Sequence, residues 1–127
     1  MRILLLALLP IAVTGASAQQ SLDAKAALSW YSGVTVEGTT ADGSSIRVYH
    51  SASGVAKGVI GGQYSNDGPW KVGEDGAVCV DWRDKAWGKY PCYWIKEDTD
   101  GHWKLERVDD AKNFIRVRRI EGNKYNM

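Results

Sequence analysis

The chain has 127 residues, with 16 basic and 15 acidic side chains for a formal net charge of +1, and six tryptophans. That length suits one domain, and a charge this close to neutral lacks the basic footprint of a nucleic-acid binder. One apolar run stands at the N-terminus, and no second run approaches membrane-spanning length.

Residues 1–18 have the layout of a secretory signal peptide. Arg2 supplies a positive start, Ile3–Val13 an apolar stretch of eleven residues, and Ala16-Ser17-Ala18 a small-x-small cleavage site. Eleven residues rise only about 16 Å as a helix, against a hydrocarbon core of about 30 Å, so the stretch is too short to span a membrane. Position 19 is Gln rather than Cys, which argues against a lipid-modified N-terminus. The expectation is a periplasmic or secreted protein with one β-rich domain over residues 19–127 and no transmembrane segment after cleavage. Without Arg2 that domain holds 15 basic and 15 acidic residues.

Residues 19–33 are the helix candidate. Ser21 is placed as N-cap, Asp23 suits the positive end of the helix dipole, Ala24, Ala26, Ala27 and Leu28 are good formers, and Gly33 stops the helix. Leu22, Ala26 and Trp30 fall near one face. After Gly33 the hydrophobic period changes to two: Val34 and Val36, then Ile46 and Val48, alternate with polar neighbours as in half-buried strands. Val55–Tyr64 reads as a third strand bent at its glycines (Gly58, Gly61, Gly62), Asn66-Asp67-Gly68-Pro69 as a turn, and Trp70-Lys71-Val72 as a short strand. Asp75-Gly76 precedes a strand over Ala77–Trp82, and Asp100-Gly101 precedes one over His102–Val108. Over Asn113–Ile120, Ile115 and Val117 alternate with Arg116 and Arg118, an inside/outside signature, and the polar tail from Glu121 to Met127 is expected to fray.

Cys79 and Cys92 lie on two strand-like runs, AVCVDW and PCYWIKE. In an exported chain two cysteines favour a disulfide over a metal pair or a catalytic thiol. Closing a loop of about 14 residues contributes roughly 3 kcal/mol on the chain-entropy account. If the two oppose each other, Val78, Val80, Trp82, Tyr93 and Ile95 share the core face, while Cys79, Asp81, Cys92, Trp94 and Lys96 share the outer one. The fold class is mainly β: a small antiparallel meander of seven to eight strands, closing into a barrel or sandwich, with one short N-terminal helix over an open end. Asp-Gly at Asp42, Asp67, Asp75 and Asp100 marks four turns.

The order Gly-Pro-Trp-Lys-Val (68–72), Asp-Gly-Ala-Val-Cys-Val-Asp-Trp (75–82) and Pro-Cys-Tyr (91–93) resembles a group of small exported proteobacterial proteins classed as domain of unknown function family 995. The resemblance covers about residues 25–120 and includes the leader and the early helix ending near a glycine. It implies a periplasmic or secreted bacterial protein with a small β-rich fold, and it brings no catalytic or binding residues with it.

Residues for chemistry are sparse. His50 and His102 each fall at a strand end with no motif around them, which fits a plain surface role, and no Gly-x-Ser-x-Gly elbow occurs. The acidic stretch Glu97–Gly101 faintly resembles a calcium loop, but Lys96 and Arg107 stand where acids are required. Lys112, Arg116, Arg118 and Arg119 read as a basic edge that deters aggregation. No catalytic residue, metal site or cofactor is expected. The aromatic excess is the remaining signal. Trp70, Trp82 and Trp103 are expected in the core, whereas Trp87, Tyr90 and Trp94, on or beside the loop closed by the disulfide, are the candidate ligand-binding residues.

These features favour a non-catalytic envelope or secreted protein that binds a protein, a glycan or a small apolar ligand. The alternatives are a secreted enzyme inhibitor of the lysozyme-inhibitor type, which needs a projecting loop, and a hydrolase, which needs a cleft with a base and nucleophile in contact. A hollow barrel would point to a small-molecule carrier, and a filled one would move attention to the surface.

Overall fold

The alternating pattern from Val34 onward folds as eight strands, each hydrogen-bonded to the next, and the last returns to the first. The computed structural model describes residues 20–127; the expected leader over 1–18 lies outside the described residues. Helix α1 (Ala24–Tyr31) is followed by β1 (Val34–Thr39), β2 (Ser45–His50), β3 (Val55–Ile60), β4 (Tyr64–Val72), β5 (Val78–Val80), β6 (Cys92–Glu97), β7 (Trp103–Arg107) and β8 (Asp110–Glu121). Pairing of β1 with β8, from Val34↔Glu121 to Thr39↔Arg116, closes an antiparallel meander barrel. Among the described residues no helix is long and apolar enough to cross a membrane.

The helix is shorter than residues 19–33. Asp23, not Ser21, is the N-cap: its carboxylate accepts from the Ala26 backbone N–H at 2.8 Å. Ser21 is instead held in extended backbone by a bridge to Lys96, and the Leu22 N–H donates to the Ile95 carbonyl at 2.9 Å. An eight-residue helix is marginal in water, so packing holds it. Its buried face is Ala27, Trp30 and Tyr31 rather than Leu22, Ala26 and Trp30. Gly33 follows in the left-handed region (φ 73°), donates to the His50 carbonyl and accepts from the Gly122 N–H. Those two bonds stitch the end of α1 across one end of the barrel.

Two turn assignments change. Gly61 and Gly62, with φ of 67° and 80°, make the β3–β4 turn, whereas Asn66-Asp67-Gly68-Pro69 lies inside β4, paired with Gly58 to Val55 of β3. Proline is tolerated there because Pro69 lies one residue beyond the last β4–β5 pair, Trp70↔Val80. Three of the four Asp-Gly pairs do sit in turns.

In a closed barrel β8 has a partner on both sides, so the cations of 112–119 do not form an edge. Arg116 bonds Asp98 at 3.1 Å on the outside, and Arg119 donates to the Trp30 carbonyl at 2.9 Å, again tying α1 down. The tail is tied as well: the Lys124 N–H donates to Thr35 Oγ1 at 3.2 Å, and the Tyr125 hydroxyl donates to Glu37.

Cys79 and Cys92 are directly opposed and disulfide-bonded. The parity this sets is the expected one. Val78, Val80, Trp82 and Ile95 are buried inside, together with Val34, Val36, Val48, Leu105 and Val117. The β5–β6 ladder holds two residue pairs, Val78↔Tyr93 and Cys79↔Cys92, where the β1–β2 ladder holds six. The disulfide therefore closes the barrel at a short seam.

Candidate binding site

The inward side chains do not fill the barrel. They surround a cavity of about 260 Å³. Its wall is largely apolar: Val36, Val48, Val80, Leu105 and Val117 come from strands spaced around the barrel. Alternation produces this directly, since every second residue faces in. Eight strands give an interior that side chains can just fill or that can hold one small ligand, and a run of valines leaves it hollow.

The closed end is built by α1. Tyr31 is 2% exposed and lines the cavity from above the strand ends. Its ring lies 4.0 Å, centroid to centroid, from His50 and 6.0 Å from Trp70, and His50 stands edge-on to Trp70 at 5.5 Å. His50 is 3% exposed, so the surface role expected for it is overturned: the helix folds over the end of β2 and covers it. Burial drives its pKa down to about 3, which keeps the ring neutral. Burial also raises the Tyr31 phenol far above its ordinary range, and the nearby Tyr93 adds to the effect.

The mouth lies at the other end. Here Asp81–Pro91 crosses the opening with a single 3₁₀ turn, Lys85–Trp87, capped by Asp84, which accepts from the Ala86 N–H at 3.0 Å. Trp87 is half-buried, lines the cavity and stands edge-on to buried Trp82 at 4.6 Å. Gly58 makes room for it, since a Cβ there would come within 2.7 Å of Trp87 Cζ3. The glycine first read as a bend is a notch for an indole.

Buried Asn66 holds this segment in place. Its amide donates to the Asp84 carbonyl at 2.8 Å, and its Oδ1 accepts from the Asp84 N–H at 3.0 Å. Beside the mouth, Arg107 lines the cavity and grips Asp109 through two bonds of 3.0 Å. Tyr93 lies between this pair and the closed end, its phenol raised by burial.

Of the three candidate residues, Trp87 faces the cavity. Tyr90 is exposed, its ring 5.8 Å from Lys71 Nζ, and Trp94 is on the outer face of β6 opposite Glu106. Tyr31, His50, Tyr93 and Asn66 were missed. Parity gave a signal for His50, which continues the inward series Ile46, Val48. For Tyr31 and Asn66 the partners are distant in sequence, and no local pattern announces them. Among the described residues no group of three or more His, Cys, Asp or Glu stands where it could hold a metal ion.

No family model matches the chain, and no curated protein matches it.

Proposed function

We propose that this chain is an exported binding protein that encloses one small, mainly apolar molecule inside its barrel. The observation that carries the reading is the cavity of about 260 Å³ inside the closed barrel, whose strands line it mainly with valine, leucine and isoleucine. A dry cavity of about 150 Å³ takes benzene, and drug-sized pockets start near 300 Å³. The space here suits a substituted single ring or a medium-length acyl chain. Export is supported by the apolar stretch 3–13 with its Ala16-Ser17-Ala18 site, and by the Cys79–Cys92 disulfide, the covalent chemistry of an oxidising compartment. The resemblance of the motif order to family 995 belongs to the same reading. Binding is favoured over catalysis because His50, the buried histidine, packs on the Tyr31 and Trp70 rings.

Isothermal titration with a panel of small aromatic and medium-chain aliphatic molecules tests this. One-to-one, saturable binding with a negative heat-capacity change is expected, the mark of apolar surface buried on binding. If every member of the panel fails to bind, the interior is not a ligand site.

A further inference from the structure

The walls of the cavity say apolar, but its closed end does not. His50 lines the cavity beneath Tyr31, and its Nδ1 is sealed from solvent with no hydrogen-bond partner among the described residues. Buried polar atoms in folded proteins are nearly always paired, so one that is not calls for an explanation. Nδ1 is the His50 nitrogen shut away in this manner; Nε2, at the tip of the ring that lines the cavity, is the other. A neutral imidazole carries one N–H, and a buried N–H without an acceptor is the less tolerated of the two arrangements. That favours the tautomer with the proton on Nε2, which makes the ring a donor at the cavity it lines. The Tyr31 phenol, whose ring is 4.0 Å from the imidazole, is a second donor group lining the same cavity.

We infer that the ligand is an uncharged molecule, apolar over most of its surface, that carries one carbonyl oxygen and places it against His50 Nε2 and the Tyr31 hydroxyl. This rests on the proposed function and adds the chemistry of the bound molecule. An anionic ligand fits less well. Among the described residues no cation lines the closed end of the cavity, where Tyr31 and His50 stay neutral, and the cation of the lining, Arg107, is already held by both carboxylate oxygens of Asp109 at 3.0 Å. A carboxylate at the mouth would have to displace that pair.

The test compares three molecules of nearly equal size: acetophenone, cumene and benzoate. Cumene replaces the acetyl group by an isopropyl group, so it keeps the shape and removes the acceptor. Acetophenone should bind the native protein about tenfold more tightly than cumene, the worth of one or two net hydrogen bonds, and benzoate should bind most weakly. The preference for acetophenone should shrink towards unity in His50→Leu while cumene affinity holds. Should that variant not fold, Tyr31→Phe keeps the ring and removes one donor, and it should lower the preference by several-fold. Equal binding of cumene and acetophenone overturns the inference and leaves the proposed function standing. Tightest binding of benzoate, or an unchanged preference in both variants, also overturns it. No binding of any of the three overturns the inference, and failure of the whole aromatic and aliphatic panel overturns the proposed function with it.

Discussion

At the scale of single residues, the two indoles at the mouth have unequal roles. Trp82 is 5% exposed and packed into the core, so Trp82→Ala should cost about 3–5 kcal/mol. Trp87 is half-buried and rests on Trp82 and Gly58. Trp87→Ala should cost less, and a double-mutant cycle in denaturant melts should return a coupling of about 0.5–1.5 kcal/mol for the edge-to-face pair. A coupling near zero would mean that the ring contact contributes nothing. His50 makes a different prediction, because its ordinary value is 6.5 and burial takes it to about 3. Between those values the unfolded chain takes up a proton that the native chain cannot. Stability is therefore intact above pH 6.5 and declines below it, by up to about 1.4 kcal/mol per unit. Carboxylates act lower. Glu37, accepting from the Tyr125 hydroxyl, and Glu106, accepting from Lys96, are held below their ordinary 4.5, so their contribution starts to fade about one unit above that value and is lost as the pH falls through it. Urea melts between about pH 6.5 and 5.5 therefore read His50 ahead of the carboxylates, and the slope there should largely vanish in His50→Leu. A slope that survives the substitution assigns the proton uptake to another group.

At the scale of elements, the short β5 is where the barrel is most easily opened. Two residue pairs join it to β6, and the Cys79–Cys92 disulfide spans that ladder. Closing the 79–92 loop should be worth about 3 kcal/mol. The double variant Cys79→Ser/Cys92→Ser should therefore melt earlier by about that amount, with amide exchange rising first in Val78–Val80 and Cys92–Tyr93. Exchange that rises evenly over all eight strands would show that the staple acts on the unfolded chain alone. The strand faces were readable in the sequence because each strand buries one side: Val117 between Arg116 and Arg118 can be placed with no knowledge of its neighbours. The cysteine parity extended this to Trp82 and Ile95. What could not be read depended on contacts distant in sequence. Asn66–Pro69 has the composition of a turn, yet it is a strand because Asn66 spends its amide on the backbone of Asp84, 18 residues away. Gly58 looks like a bend until the indole that occupies its missing side chain is placed. His50 and Tyr31 become a site only when α1 packs over the end of β2, and the same docking shifts the helix cap from Ser21 to Asp23.

For the molecule as a whole, the meander of the described residues closes on itself with each strand paired on both sides, so the interior rather than an edge is its available surface for a small partner. Whether that interior is spare volume or poorly packed core can be decided with one side chain. Val36 is 3% exposed, sits midway along β1 and lines the cavity. In a filled core, adding a ring at such a position forces neighbours off their rotamers and costs about 1–3 kcal/mol. In a cavity of about 260 Å³ the phenyl group of Val36→Phe has somewhere to go. It also buries apolar area that contributes about 25 cal/mol per Å². The variant should therefore be at least as stable as the native chain in thermal and denaturant melts, and it should lose affinity for acetophenone and cumene alike, since the ring takes their place. Loss of stability together with unchanged affinity would place the ligand elsewhere and make the hollow a packing defect. A stable variant that no longer binds identifies the barrel interior as the site.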